Sequence, residues 1–263
     1  MTSNGIGRGV LRPVLAAERF ELLRREPTGP AAEFVEFHWI VRWDLRGRPA
    51  HPQQVLSHPN VHLVFEEPGP FVYGVQRGLF ERRLTGAGRV FGVKFLPGGF
   101  RPLLGSPVLD LVDRRVPAAD LFGPAVVRAQ REVLGASDPD AMRRAAEEFL
   151  RGVLPEPDPT AREAAGIVAR ITEAPTLFRV DQLAAETGLS VRSLQRLFAE
   201  YVGAGPKWVL RRARLHEAAA RAEQATEIDW SALATDLGYA DQAHLTRDFT
   251  ATVGAPPARY ART

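Results

Sequence analysis

An ordered internal repeat in the last third of the chain constrains its fold most. LAAETGLSVRSLQRLFAEYVGAGP (residues 183–206) and LATDLGYADQAHLTRDFTATVGAPP (residues 233–257) share nine positions in the same order. Leu183, Ala184 and Gly188 recur as Leu233, Ala234 and Gly238. Leu194, Arg196, Phe198, Val202, Gly203 and Pro206 recur as Leu245, Arg247, Phe249, Val253, Gly254 and Pro257, after one extra residue in the second turn. Each copy predicts a helix-turn-helix. A short helix carries Leu-Ala, whose small Ala permits close packing. A Gly four residues later ends it, because a left-handed backbone costs glycine nothing. Ser190 and Asp241 then stand where an N-cap is needed.

Helical spacing separates buried from exposed positions in the second helix of each copy. Leu194, Leu197, Phe198 and Tyr201 fall at i, i+3, i+4 and i+7 and predict the buried stripe. Arg192, Arg196 and Ala199 then point away, flanked by Ser193 and Gln195. In the second copy Leu245 and Phe249 are buried. Ala243, Arg247 and Thr250 face out, flanked by His244 and Thr246, with Gln242 in the first turn. Such faces suit the major groove: Arg matches guanine O6 and N7, Gln matches adenine N6 and N7, and Thr touches a thymine methyl. An exposed Arg is usually only solvated, and one helix-turn-helix match is weak. The duplication decides for DNA, since two such helices about 34 Å apart enter successive major grooves on one face.

PKWVLRRARLHEAAARAEQA (residues 206–225) predicts a helix joining the two units. Arg211, Arg212 and Arg214 on it either touch phosphate or form a solvated basic face. Net charge does not choose between these. From residue 159 onward 13 Lys and Arg stand against 12 Asp and Glu, so any binding face arises from local arrangement.

The segment from LAAETGLSVRSLQRLF onward, and above all G-Y-x-D-Q-x-H-L-x-R-x-F-x-x-x-x-G-x-P-P-x-x-Y, resembles the DNA-binding domain of the AraC/XylS family of bacterial transcription regulators. The resemblance covers about residues 160–262. It implies seven helices and double-stranded DNA as partner, with RNA polymerase as a second partner if the chain activates. By motif position it implies base or phosphate contacts at Arg192, Ser193, Gln195 and Arg196, and at Gln242, Ala243, His244, Thr246 and Arg247. Arg211 and Arg212 are the phosphate candidates of the linking helix. Ala243 departs from the polar residues often found at its position. The resemblance also implies that the first half senses an effector, dimerises, or both. GVQRGLFERRLTGAGRVFGVKFLPGGFRPLLG looks like part of an N-terminal domain recurrently attached to such regulators.

That first half reads as strands: FVEFHWIVRWDL, QQVLSH, NVHLVFE, FVYGV, LFERRL and RVFGVKFL, punctuated by Gly and Pro. Such strands predict an antiparallel sandwich or barrel. Alternation places Phe37, Trp39 and Val41 on one face and His38, Ile40 and Arg42 on the other. Aromatics at this density more often build core than pocket. The candidate lining for a small-molecule effector is Trp39, Trp43, Phe65, Tyr73 and Phe95. PGGF (97–100) reads as a strand-to-helix turn. The helix from 138 to 154, capped by Asp138, offers Ala141, Ala145, Phe149 and Val153 either to a homodimer partner or to its own sheet.

The expected architecture is therefore α+β with two domains. An antiparallel β-rich unit with trailing helices spans 1–154. The Pro-rich PEPDP follows at 155–159, and an all-α unit with two helix-turn-helix units spans 160–263. The chain has no cysteine, which removes disulfides and cysteine chemistry and fits a cytoplasmic location. His38, His51, His58 and His62 lack a tight His-x-His with a following carboxylate, so no metal and no cofactor is expected. No Gly-x-Ser-x-Gly, Walker loop or HExxH occurs, so no enzyme is expected; an unrecognised enzyme fused to a DNA-binding domain is the alternative. The opening residues lack the apolar core of a signal peptide, and no 18-residue apolar run marks a membrane span.

Overall fold

The computed structural model describes residues 9–173, 177–224 and 227–261. The first half is built on a six-stranded antiparallel sheet with strand order β1-β2-β7-β4-β5-β8. These are β1 (Glu21–Arg25), β2 (Val35–Asp44), β4 (His62–Phe65), β5 (Phe71–Tyr73), β7 (Ala87–Phe95) and β8 (Arg115–Pro117). The remaining strands, β3 (His51–Leu56) and β6 (Leu79–Leu84), pair only with each other as an antiparallel ribbon. Each of the six sequence segments read as strands overlaps one. The sheet's two edges, β1 and β8, were not foreseen: they are short and charged, as edge strands often are.

One face of the sheet is dry. Ile40, Leu63, Phe65, Val72, Phe91, Val93 and Phe95 join Val126, Val133, Met142, Ala146 and Leu150 in one core. The last five come from α4 (Pro124–Gly135) and α5 (Pro139–Arg151). Short helices α1 (Pro13–Ala17), α2 (Arg101–Leu104) and α3 (Ala119–Phe122) complete this half. Asp138 caps α5 as expected, accepting from Asp140 N at 3.0 Å and Ala141 N at 2.8 Å. Those amides hold its carboxyl below the usual range. The apolar side of α5 is spent on its own sheet, with Ala145, Phe149 and Val153 packed against the same core.

Residues 152–158 leave helical structure, and Pro159 opens α6 (Pro159–Glu173). There follow α7 (Val180–Thr187), α8 (Val191–Leu197), α9 (Pro206–Gln224), α10 (Trp230–Asp236), α11 (Gln242–Val253) and α12 (Pro257–Tyr260). Seven helices thus follow the linker among the described residues, as the resemblance implied. No described helix is long and apolar enough to cross a membrane.

The repeat is structural as well as sequential. Gly188 and Gly238 both end the first helix of their unit in the left-handed region, with φ of 69° and 70°. Gly203 and Gly254 end the second, at 81° and 82°. Leu183, Leu194 and Phe198 are buried in one unit as Leu233, Leu245 and Phe249 are in the other. Besides the extra residue in the second turn, the copies differ in their second helix: Phe198–Val202 continues α8 as a π-helical turn, while α11 stays α-helical throughout.

Candidate functional site

In each unit the second helix presents a polar face away from the buried stripe. Ser190 caps α8 by accepting from Ser193 N at 3.1 Å, and Asp241 caps α11 by accepting from His244 N at 2.6 Å. The side chains of Arg192, Gln195 and Arg196 are exposed, with Ser193 half-buried beside them. On α11 Gln242, Ala243, His244 and Arg247 are exposed and Thr246 is half-buried. No described residue forms an ion pair or hydrogen bond with the guanidinium groups of Arg192, Arg196 or Arg247. Three cations held on capped helices without internal partners leave their donors available to phosphate or base edges.

The linking helix behaves differently. Arg211 donates to Asp248 Oδ1 and reaches Thr252 Oγ1 at 3.4 Å, so it ties α9 to α11. Tyr239 Oη donates to the other oxygen of Asp248 at 2.8 Å. Arg212 is 2% exposed. It lies over the Trp208 ring at 4.6 Å and donates to the backbone oxygen of Arg77 in the loop between β5 and β6. Burial lowers its pKa to about 10. The expectation of a phosphate contact at Arg212 is therefore corrected: the face of α9 that carries it is covered by the first half. Arg214 packs over Tyr239 at 4.5 Å.

A second feature lies between the wet face of the large sheet and the β3–β6 ribbon. It is a cavity of about 220 Å³, lined mainly by apolar side chains. Its floor is aromatic. Trp39 stands opposite Gly92 and Trp43 opposite Gly88 in the β2–β7 pairing. A Cβ on Gly92 would come within 1.9 Å of the Trp39 ring, and one on Gly88 within 2.4 Å of the Trp43 ring. Both indoles therefore lie flat on β7, which only glycine permits. Trp39 Nε1 donates to His62 Nδ1 at 3.2 Å, and burial drives the His62 pKa down to about 3. At one end a bulge between Val35 and Phe37 throws Glu36 out of the ladder. Its carboxylate accepts from Lys94 Nζ at 2.8 Å and Asn60 Nδ2 at 2.9 Å.

The ribbon that roofs this cavity also touches the second helix-turn-helix unit. Leu56 borders the cavity and is fully buried in a core with Leu215, Leu233, Leu237 and Phe249. Residues 9–11 run beside β3, with Leu11 N donating to Gln54 O at 3.1 Å, and Leu11 enters that same core. His58, just after β3, stacks on His216 of α9 with ring centroids 3.9 Å apart. The first unit is braced as well. Arg101 of α2 pairs with Glu200 in the π turn at 2.6 Å, and Val75 joins the core of α6–α8.

Two family models match the chain. Residues 183–263 match a helix-turn-helix domain, and residues 23–117 match a domain of unknown function. The first spans both the duplicated motif and the paired glycines. The last third of the chain is a helix-turn-helix domain of the AraC type. No curated relative matches it. Among solved structures it is similar to ToxT from Vibrio cholerae, at 10% identity and a TM-score of 0.41, covering 86% of this chain and 97% of that one. A structure of ToxT described as bound to an unsaturated fatty acid matches at 10% identity and a TM-score of 0.41, over 96% of this chain and 92% of that one. A likeness so loose carries no argument about this chain's ligand.

The sequence reading of the second helices placed its residues on the face turned away from the core, exposed except for half-buried Ser193 and Thr246. The cavity was read less well. Trp39, Trp43 and Tyr73 line it, but Phe65 and Phe95 lie in the dry core on the other side of the sheet. Each stands one residue from a cavity-facing neighbour, Val64 or Lys94, and successive strand side chains point to opposite faces. The residues missed were Arg24, Lys94, His62 and the floor glycines. The two glycines four apart in GRVFGVKF, matching Trp39 and Trp43 four apart on β2, were the available signal for the last of these. Among the described residues no group of three or more His, Asp or Glu side chains converges to hold a metal.

Proposed function

We propose that this chain is an AraC-type regulator that reads duplex DNA through α8 and α11 and senses a small molecule in the cavity of its first half, with PEPDP marking the boundary between the two tasks. Arg192, Ser193, Gln195 and Arg196 contact bases or phosphate in the first unit. Gln242, Ala243, His244, Thr246 and Arg247 do so in the second. Arg211 orients α11 through Asp248. The observation that carries the sensing half is the shared ribbon. β3–β6 is the cavity's roof on one side and, through Leu56, part of the second reading unit's core on the other. Core packing does not deform continuously. An occupant that moves the roof therefore repacks the seat of α10 and α11.

Dimerisation is the second reading for the first half. The apolar side of α5 is occupied by its own sheet, so a dimer uses a different surface. Light scattering of the full chain distinguishes a dimer from a monomeric sensor.

Genome-wide mapping of binding sites supplies the operator. At fixed salt, Arg196→Ala weakens operator binding by about 1–3 kcal/mol and relaxes preference at one base pair. Unchanged affinity and preference would show the groove assignment to be wrong. Calorimetry across broad metabolite classes tests sensing: hits shift operator affinity. A screen without a hit, or hits that leave operator affinity untouched, refutes the sensor reading.

A further inference from the structure

The nature of the occupant can be read from the cavity walls, an inference that rests on the sensor reading above. The strand register sorts the wet face of the sheet by polarity. Leu22, Val41 and Val90 stand side by side toward one end, next to Trp43. Toward the other end stand Arg24, Lys94 and His62, with Lys94 directly between Phe37 and His62. Both cations lean on the same ring: Arg24 lies 4.4 Å and Lys94 4.8 Å from the Phe37 centroid.

The charges at that end do not balance. Glu36, itself half-buried, lies against Lys94 and acts on Arg24 as well, so one carboxylate serves two cations. Glu26 also acts on Arg24 but is exposed, and water screens it. Arg24 Nε is buried and has no acceptor among the described residues. His62 adds no charge, since Trp39 donates to its Nδ1 and its proton therefore sits on Nε2, a neutral donor. A half-buried guanidinium whose buried Nε lacks an acceptor gains from an anion that completes it.

We propose that the effector is a compact organic monoanion, its carboxylate held by Arg24 and Lys94 and its flat apolar body laid on the Trp39 and Trp43 indoles beneath the β3–β6 ribbon. Arg82, also in the lining, is paired with Glu66, and among Arg24, Lys94 and Glu36 one positive charge is left over, which suits a single carboxylate. A neutral apolar occupant leaves Arg24 Nε unmet, and a cation is repelled. Size sets the body. An apolar cavity of about 150 Å³ accepts benzene. At about 220 Å³, this one has room for one ring with a short acid side chain. The indoles, pinned flat by Gly88 and Gly92, favour a planar ring over a flexible chain.

Calorimetry on the full chain tests this with 3-phenylpropionate, its uncharged amide and octanoate. The acid binds at least tenfold more tightly than the amide and more tightly than octanoate. Arg24→Gln weakens the acid at least fivefold more than the amide and so removes most of the preference, and Arg24→Lys restores part of it. Equal binding of acid and amide by the wild type, a comparison needing no variant, overturns the anion assignment while leaving the cavity as an effector site. Tighter binding of octanoate overturns the single-ring body. If neither these compounds nor any member of the broad metabolite panel binds, the sensor reading fails and this proposal fails with it.

Discussion

Gly92→Ala is a small change with a large expected effect. The added Cβ would meet Trp39 Cε2 at 1.9 Å, Cζ2 at 2.2 Å and Nε1 at 2.3 Å. These atoms belong to a rigid ring, so the indole must swing off β7, and the open space it meets is the cavity. It then loses its hydrogen bond to His62, a loss of about 1 kcal/mol. Overpacking a fitted site adds about 1–3 kcal/mol. Against this, replacing glycine restricts the unfolded chain and returns about 0.4–1 kcal/mol. The steric cost wins, and net destabilisation of roughly 1–3 kcal/mol follows. At about 2–4 °C per kcal/mol for a chain of this size, Tm falls by several degrees. Gly166→Ala is the control: it lies exposed within α6 with nothing within 4 Å of its added Cβ, and helix propensity makes it stabilising by about 0.5–1 kcal/mol. Denaturant titration followed by tryptophan emission measures both. If Gly92→Ala matches wild-type stability to within about 0.5 kcal/mol with unchanged emission, the indoles do not lie on the sheet as described.

Three further outcomes follow from the same geometry. His62 has a folded pKa of about 3 against an ordinary 6.5, so between those values the unfolded chain binds a proton that the folded chain refuses. Stability therefore rises with pH across that window, and His62 alone costs about 2 kcal/mol between pH 6.5 and 5. Denaturant titrations of His62→Gln at the two pH values show that much less loss; an unaltered slope refutes the buried neutral imidazole. Arg192→Ala lowers the slope of log affinity against log salt by about 1, whereas Arg212→Ala leaves it unchanged because that side chain meets Arg77 and not phosphate. A reduced slope for Arg212→Ala would restore it to the DNA face. Leu56→Ala, in the core shared by the ribbon and α10–α11, costs about 2–5 kcal/mol in stability. It also weakens any effect of cavity ligands on operator affinity, and full retention of that coupling would exclude the ribbon as the route.

The helix-turn-helix pair was legible because its determinants are local. A glycine that must adopt positive φ, a capping Ser190 or Asp241, and Leu and Phe at helical spacing act within a few residues of one another. Their recurrence at Gly188 and Gly238, Gly203 and Gly254, supplied the second copy. Central strands such as β2 and β7 were legible from alternation for the same reason. Alternation also divided Phe37, Trp39 and Val41 from His38 and Ile40 correctly.

What alternation does not contain is which side of a sheet stays dry. Phe65 and Phe95 are as aromatic as Trp39, yet α4 and α5 cover their side while only the two-stranded ribbon spans the other. The same limit applies to Arg212. Its neighbours in sequence make it one basic residue of a basic helix, and only the docking of the Arg77 loop on α9 turns it inward. Local backbone chemistry thus determined the repeated reading units from the sequence alone. Tertiary packing decided where the cavity lies, which cations serve it, and that its roof is shared with the second reading unit, because those depend on surfaces brought together across more than a hundred residues of chain.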